Sequence, residues 1–165
     1  MINVRFVLLA MILLVTVVGC SETQTGSENR MEIVENLYLR EDVAGRPSLE
    51  LEGPVNEDYL EIVDLVGGTG QVGVTISDTL EVNYLGIGSI TGFTFDSSFS
   101  RNEPATFPLG AVIQGWQQGL VGMREGGRRV LIIPSSLAYG PTPPPGSGIE
   151  PNEALIFLVD LIKIN

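Results

Sequence analysis

The chain has 165 residues, 44% of them hydrophobic and 18% charged, which is enough for one ordinary domain with additional segments. It has no His and a single Cys, which excludes an imidazole base, a Ser-His-Asp triad and a structural zinc site, and no cofactor is expected. A net charge of −11 and a pI near 4.3 argue against nucleic acid as a partner. Twenty Gly and ten Pro favour turns over long helices.

The first twenty residues resemble a lipoprotein export signal. Arg5 precedes an apolar run from Phe6 to Val18, and these 13 residues suit the hydrophobic region of a signal peptide better than a membrane span. The run ends in Val17-Val18-Gly19-Cys20, which resembles a bacterial lipobox with Val where Leu is usual. We predict a signal peptide over residues 1–19, lipidation of Cys20 with palmitate, and a lipid-anchored domain on the extracytoplasmic side of a membrane in the bacterial cell envelope. The alternatives are an uncleaved anchor or an ordinary secretory signal with an unrelated Cys.

The next segment is strongly acidic, since residues 21–66 carry a net charge of −9. Residues 21–30 are polar and are typical of a flexible tether. Residues 31–58 contain apolar pairs but no sustained period. We interpret residues 20–58 as an acidic tether or extension, which is either a solvated spacer or partly docked on the domain that follows.

From residue 59 onward the pattern predicts strands. Alternating or continuous apolar runs favour strands at 59–66, 79–84, 128–133 and 154–164. In the second of these, Leu80, Val82 and Tyr84 share a face, which points Tyr84 inward. Because turns rather than crossover helices join the strands, we expect an antiparallel sheet.

One short helix is predicted beside this sheet. Ile113, Trp116 and Leu120 recur at the spacing of a helix face. Gly115 and Gly119 weaken such a helix by roughly 1 kcal/mol each relative to Ala, so it needs packing to be stable. We expect the sheet to curl round the helix with Trp116 at the contact, although Trp116 could equally be ordinary core.

Two short stretches indicate a pocket. The first, 95–98, places a carboxylate beside an aromatic ring, and the second, 112–116, places the only Trp behind two aliphatic residues. Neighbouring segments extend this pattern, and the whole ordered set is Val82-Asn83-Tyr84-Leu85-Gly86, Phe95-Asp96-Ser97-Ser98, Arg101, Phe107-Pro108-Leu109-Gly110, Val112-Ile113-Gln114-Gly115-Trp116, Leu137-Ala138-Tyr139-Gly140, Ile149 and Phe157. Over residues 60–164 this set resembles the FKBP-type peptidyl-prolyl cis–trans isomerases.

This resemblance implies a fold, an activity and partners. The fold is α+β and mainly β, a five- to six-stranded antiparallel half-barrel sheet wrapped round one short helix, with the isomerase domain at residues 59–165. The activity is acceleration of X–Pro isomerisation (rotamase activity) during the folding of exported proteins. The implied partners are proline-containing exported polypeptides and macrolide inhibitors, and a monomer is expected.

The resemblance also assigns the site residue by residue. The family's Trp forms the pocket floor, its aromatic rings form walls, and its Asp and Arg are hydrogen-bonded neighbours at the rim. Donors to ligand carbonyls correspond to the Ile113 N–H and the Tyr139 hydroxyl. The implied catalytic residues are Tyr84, Phe95, Asp96, Tyr139 and Phe157, and the implied substrate-binding residues are Arg101, Phe107, Val112, Ile113, Trp116 and Ile149.

Departures from the family keep a second function open. Ala105 stands where the family has an aromatic residue, and the loop at 141–148 is Pro-rich without an aromatic residue or His. A weakly catalytic or non-catalytic proline-binding or chaperone module using the same pocket is therefore the alternative. At the level of single residues, Asp96 could instead cap a turn and Arg101 could be a surface charge. Residues 124, 128 and 129 are all Arg, and we expect them to form a solvated patch.

Overall fold

Short runs of alternating apolar residues become strands along most of the chain. The computed structural model describes residues 3–6, 29–55 and 58–165, so Cys20 and most of the predicted signal peptide lie outside the described residues. The strands are β1 Asn3–Phe6, β2 Asn29–Val34, β3 Leu37–Glu41, β4 Pro47–Leu51, β5 Glu61–Val66, β6 Thr79–Gly88, β7 Thr94–Ser97, β8 Ala105–Pro108, β9 Arg128–Ile133 and β10 Leu155–Ile164. The helices are α1 Ser98–Arg101 and α2 Gln114–Gly119, with 3-10 turns at Leu109–Ala111 and Ser135–Leu137. Within these ranges no helix is both long and apolar enough to cross a membrane.

Six antiparallel strands form the main sheet. The order is β5-β9-β10-β6, and β6 then pairs with β7 toward its C-terminal end and with β8 toward its N-terminal end. The edge of β5 is joined by β1 in parallel. This arrangement confirms the predicted antiparallel fold. The predicted strand at 128–133 matches β9, whereas β6 extends four residues beyond its prediction, to Gly88.

Helix α2 packs on the concave face of this sheet. Inward residues of β6 and β10 surround Trp116 and Leu120 in one buried cluster. The two helix glycines allow this close approach, because a Cβ at Gly115 would come within 2.3 Å of the Ile133 side chain. A Cβ at Gly119 would meet the side chain of Leu131, also on β9, at 2.7 Å. The residues that weaken the helix locally are therefore the ones that let it dock on β9.

Residues 29–51 form a second sheet, which covers the convex face of the first. Strands β2, β3 and β4 are antiparallel in that order. Their apolar side chains pack against the outward positions of the main sheet. This second buried cluster is made of Ile33, Leu37, Leu39, Leu49, Val55, Val63, Leu85, Ile87, Val130, Ile132, Ile156 and Leu158. Residues 29–51 of the acidic extension are therefore docked on the domain, which is the second of the two interpretations. Residues 20–28 lie outside the described ranges.

Two of the three arginines assigned to a solvated patch are buried or half-buried instead. Arg129 is only 8% exposed and donates from two nitrogens to Asp64 at 2.6 and 3.0 Å, and from a third to the Gly119 carbonyl at 2.7 Å. Arg128 donates to both carboxylate oxygens of Asp160, at 2.6 and 2.7 Å. The patch prediction is therefore wrong for these two, because each lies directly opposite an Asp on a neighbouring strand.

Candidate active site

An aromatic cleft of about 380 Å³ opens between α2 and strands β6, β7 and β8. Its lining contains nine of the eleven residues that the resemblance assigned to the site, and one that it did not, Ala111. The lining residues are Tyr84, Phe95, Asp96, Phe107, Ala111, Val112, Ile113, Trp116, Tyr139 and Phe157. The sequence does not predict Ala111 as a lining residue, because a small residue in a turn has no distinguishing pattern. Its position next to Val112 is the only indication.

Trp116 forms the floor of the cleft. Its ring meets Tyr84, Phe107 and Phe157 in edge-to-face contacts, with centroid separations of 5.5, 5.1 and 5.1 Å. Phe95 extends the wall through a similar contact with Phe157 at 5.5 Å. Such pairs contribute roughly 0.5–1.5 kcal/mol each beyond burial and fix the ring orientations. Trp116 therefore belongs to the core and also forms the cleft floor, and packing between the rings fixes the apolar surface that a ligand would contact.

Three polar side chains form a closed network at the rim. The Tyr84 hydroxyl and one guanidinium nitrogen of Arg101 both donate to the Asp96 carboxylate. A second nitrogen of Arg101 donates to the Tyr84 hydroxyl at 3.0 Å. Arg101 itself is not part of the lining and reaches the cleft only through these two partners. Its side chain is 48% exposed, so it is a partly solvated charge with a defined bonding role.

The network also sets the ionisation of its members. Burial acts to raise the pKa of Asp96, but hydrogen bonds from Tyr84 and Arg101 outweigh it and hold that pKa below its ordinary value. Burial, followed by the hydrogen bond to Asp96, raises the pKa of Tyr84. At neutral pH Asp96 is therefore an ionised acceptor and not a general acid.

The local sequence after Asp96 holds this rim in place. Ser97, rather than Asp96, caps α1, since its side chain accepts from the Ser100 N–H at 3.3 Å. The turn-cap interpretation of Asp96 is therefore wrong. The buried Ser98 hydroxyl accepts from the Tyr84 N–H at 2.8 Å and donates to the side-chain oxygen of Asn83 at 3.0 Å. Ser97 thus caps α1 and Ser98 attaches the segment that follows Asp96 to β6, and sequence reasoning missed both roles.

Besides the buried Trp116 Nε1–H in the cleft floor, two donors at the edge of the cleft make no hydrogen bond to any described residue. The first is the Tyr139 hydroxyl, whose pKa is raised by burial and then by the Asp96 charge, so it stays protonated. The second is the N–H of Ile113 at the start of α2; the Ile113 carbonyl, by contrast, accepts from Trp116 at 3.0 Å. Both donors are available to carbonyl oxygens of a ligand.

The remaining predicted positions lie beside the cleft. Ile149 is 8% exposed and belongs to the concave-face core, where it supports the lining without forming part of it. Ala105, the first residue of β8, pairs with Val82 of β6. Side chains alternate along β8, so the Ala105 methyl group points to the same side as Phe107. This wall therefore has a methyl group where the family has a ring.

A curled antiparallel sheet round one short helix, with Trp116 at the floor of the cleft and unused donors at its edge, is an arrangement suited to holding an apolar ring and the carbonyls beside it. Residues 70–162 match the family of FKBP-type peptidyl-prolyl cis-trans isomerases, and the chain belongs to that family. It is a peptidyl-prolyl cis–trans isomerase, as the sequence predicted. The family binds proline-containing substrates and macrolide inhibitors.

Known relatives agree with this assignment. The chain is 43% identical over 121 residues to the FK506-binding protein of Streptomyces anulatus, covering 72% of this chain and 97% of that protein. It is 44% identical over 120 residues to the probable FK506-binding protein of Corynebacterium glutamicum, covering 72% and 98%. The crystal structure of Escherichia coli FkpA superposes with a TM-score of 0.59 at 35% identity, over 77% of this chain and 51% of that one.

Proposed function

We propose that this chain is a lipid-anchored prolyl isomerase that accelerates X–Pro isomerisation in polypeptides exported to the bacterial cell envelope. The isomerase part rests on one observation above all, an aromatic cleft with two unused donors at its edge. The location rests on the apolar run that ends at Cys20, which supports an anchored domain on the extracytoplasmic side.

Within the cleft, the proline ring lies on Trp116 between the rings of Tyr84 and Phe157. Rotation about the prolyl amide crosses a barrier of about 18–20 kcal/mol, because amide resonance is lost on twisting. The twisted amide is less polar than the planar one, so leaving water costs it less. An apolar seat therefore lowers the barrier by removing solvation from the planar ground state.

The two free donors hold the carbonyls on either side of the rotating bond. The Ile113 N–H anchors one carbonyl, and the Tyr139 hydroxyl follows the other as it turns. Since cis and trans X–Pro differ by only about 0.5–1 kcal/mol, the enzyme has only to accelerate interconversion. Each tenfold in rate requires about 1.4 kcal/mol of preferential binding to the twisted form, which is within the reach of such contacts.

Refolding of a protein limited by proline isomerisation tests the enzyme assignment. We expect the purified chain to accelerate the slow phase, a macrolide ligand of this family to block it, and Asp96→Leu to weaken it. Asp96→Leu removes the acceptor shared by Tyr84 and Arg101. Folded, macrolide-binding protein without any acceleration would contradict the enzyme function and leave a proline-binding module, which the missing ring at Ala105 favours.

Labelled palmitate tests the anchor. We expect incorporation in a bacterial host, loss of incorporation with Cys20→Ala, and release of that variant from the membrane fraction. Cys20→Ser repeats the test with a polar side chain that is close to Cys in size and also lacks the thiol. Incorporation that survives both substitutions would contradict attachment at Cys20.

A further inference from the structure

The buried carboxylate of Glu153 has no part in the mechanism. Glu153 is only 2% exposed and forms no ion pair with any described residue. One of its oxygens accepts from the N–H groups of Ile90 and Thr91 and from the Thr91 hydroxyl, each at 3.1 Å. The other accepts from the Glu150 N–H at 2.9 Å. All four groups that contact the carboxylate are hydrogen-bond donors, so the site stabilises an anion better than a neutral amide.

The chain makes room for this carboxylate. A Cβ at Gly88 would come within 2.3 Å of the Glu153 oxygen and within 2.6 Å of the Thr91 hydroxyl. The turn that begins at Gly88 is closed by its own backbone, with the Gly88 N–H donating to the Phe93 carbonyl at 3.1 Å. Glu153 therefore satisfies N–H groups inside a tight turn.

This turn leads directly into one wall of the cleft. Strand β7 starts at Thr94, immediately after the turn, and carries Phe95 and Asp96 into the lining. Any displacement of the turn is passed to these two side chains, because only a single residue separates its end from Phe95.

The segment before Glu153 leads to the opposite wall. The N–H of Asn152 donates to the Gly140 carbonyl at 2.8 Å, and Gly140 follows Tyr139. The Pro-rich loop also touches the turn, since a Cβ at Gly148 would lie 2.5 Å from the Phe93 ring. Glu153 is thus the junction between the wall that carries Phe95 and the wall that carries Tyr139.

We propose that Glu153 is a positioning residue for the isomerase reaction, because its carboxylate sets the separation between the Phe95–Asp96 wall and Tyr139. This inference rests on the proposed role of Tyr139 as a donor to the substrate. A displacement of about 1 Å in such a site can cost on the order of a hundredfold in rate. Glu153 itself touches no substrate.

Glu153→Gln tests the inference with Glu150→Gln as its control. The two carboxylates lie three residues apart in the same segment, but the Glu150 side chain is exposed and only its backbone enters the network. We expect kcat/KM for an X–Pro peptide to fall about tenfold in Glu153→Gln, mainly through kcat, and macrolide affinity to fall by a similar factor. Glu150→Gln keeps the parent values.

A second pair of variants tests the same network with less risk to folding. Thr91 is exposed, so Thr91→Val removes one donor to the carboxylate together with the acceptor of the Phe93 N–H, whereas Thr91→Ser keeps both contacts. We expect about threefold lower kcat/KM for Thr91→Val and parent activity for Thr91→Ser. In the double variant with Glu153→Gln, the Val substitution adds a smaller loss than it does in the parent, because the contact with residue 153 is already weakened.

The outcomes separate this inference from the function on which it rests. If the parent chain shows no isomerase activity, macrolide affinity still reports the separation of the two walls. Folded Glu153→Gln and Thr91→Val with kcat/KM and macrolide affinity within twofold of the parent would overturn the inference. So would equal losses in Glu150→Gln.

Discussion

Gly115 provides a sharp test of how the cleft floor is positioned, because local and tertiary effects predict opposite signs for Gly115→Ala. In an isolated helix, replacing Gly by Ala stabilises by about 1 kcal/mol. In this fold the new Cβ would lie 2.3 Å from Cγ2 and 2.7 Å from Cδ1 of Ile133, where carbon atoms prefer about 3.5–4.0 Å.

A small movement of side chains cannot relieve this clash. Ile133 is fully buried on β9, so α2 has to move away from the sheet by about 1 Å. Overpacking of this kind costs about 1–3 kcal/mol, which exceeds the helix-propensity gain. We therefore expect Gly115→Ala to lower the free energy of unfolding by about 1–2 kcal/mol. Because Trp116 is the next residue, the cleft floor moves with the helix and kcat/KM falls as well.

Denaturant unfolding followed by fluorescence of Trp116, together with peptide kinetics, measures both effects. Gly110→Ala is the matched control, since the nearest atom to its Cβ is 3.7 Å away. Ile133→Ala in the Gly115→Ala background removes the clashing side chain and should restore part of the kcat/KM. A Gly115→Ala chain at least as stable and as active as the parent would show that helix propensity dominates and would refute the reasoning.

Three further predictions use the same assays. Tyr139→Phe removes an unused donor, so kcat/KM should fall about three- to tenfold with unchanged stability; equal activity would contradict its role. Burial acts to raise the pKa of Glu153, but hydrogen bonds from backbone N–H groups outweigh it and lower that pKa. The ionised carboxylate therefore stabilises the fold above about pH 4.3, and this stabilisation should be lost as pH falls. The free energy of unfolding should then decrease less on acidification in Glu153→Gln than in the parent. Asp64→Ala leaves Arg129 buried without its partner and should cost about 3–5 kcal/mol in denaturant unfolding, whereas a cost below 1 kcal/mol would contradict burial of the pair.

Several features of the fold and site could be predicted because their evidence is local. Strand β9 follows from six consecutive residues with a clear apolar pattern, and the inward face of β6 follows from the alternation of Leu80, Val82 and Tyr84. The cleft lining followed from motifs in a fixed order, of which the 95–98 and 112–116 segments are the most specific. Their order along the chain is enough to indicate the family.

Other features depend on contacts between distant residues. Strands β3, β4, β7 and β8 are four or five residues long, so each presents only two or three inward side chains, too few to establish alternation. Arg129 resembles a surface charge until strand pairing places it opposite Asp64. For the same reason, nothing in the sequence links Glu153 to Thr91, which lies 62 residues earlier.

The sequence alone therefore determined the antiparallel sheet, since periodicity is a property of neighbouring residues. The half-barrel form, the family and most of the cleft lining followed from the resemblance that the ordered motifs carry. Tertiary structure decided where the acidic segment 29–51 docks, which charges are paired, and which residues hold the two walls of the cleft together. The physical reason is that burial and hydrogen-bond satisfaction are properties of the packed chain. A buried carboxylate such as Glu153 acquires its partners only when two distant turns meet.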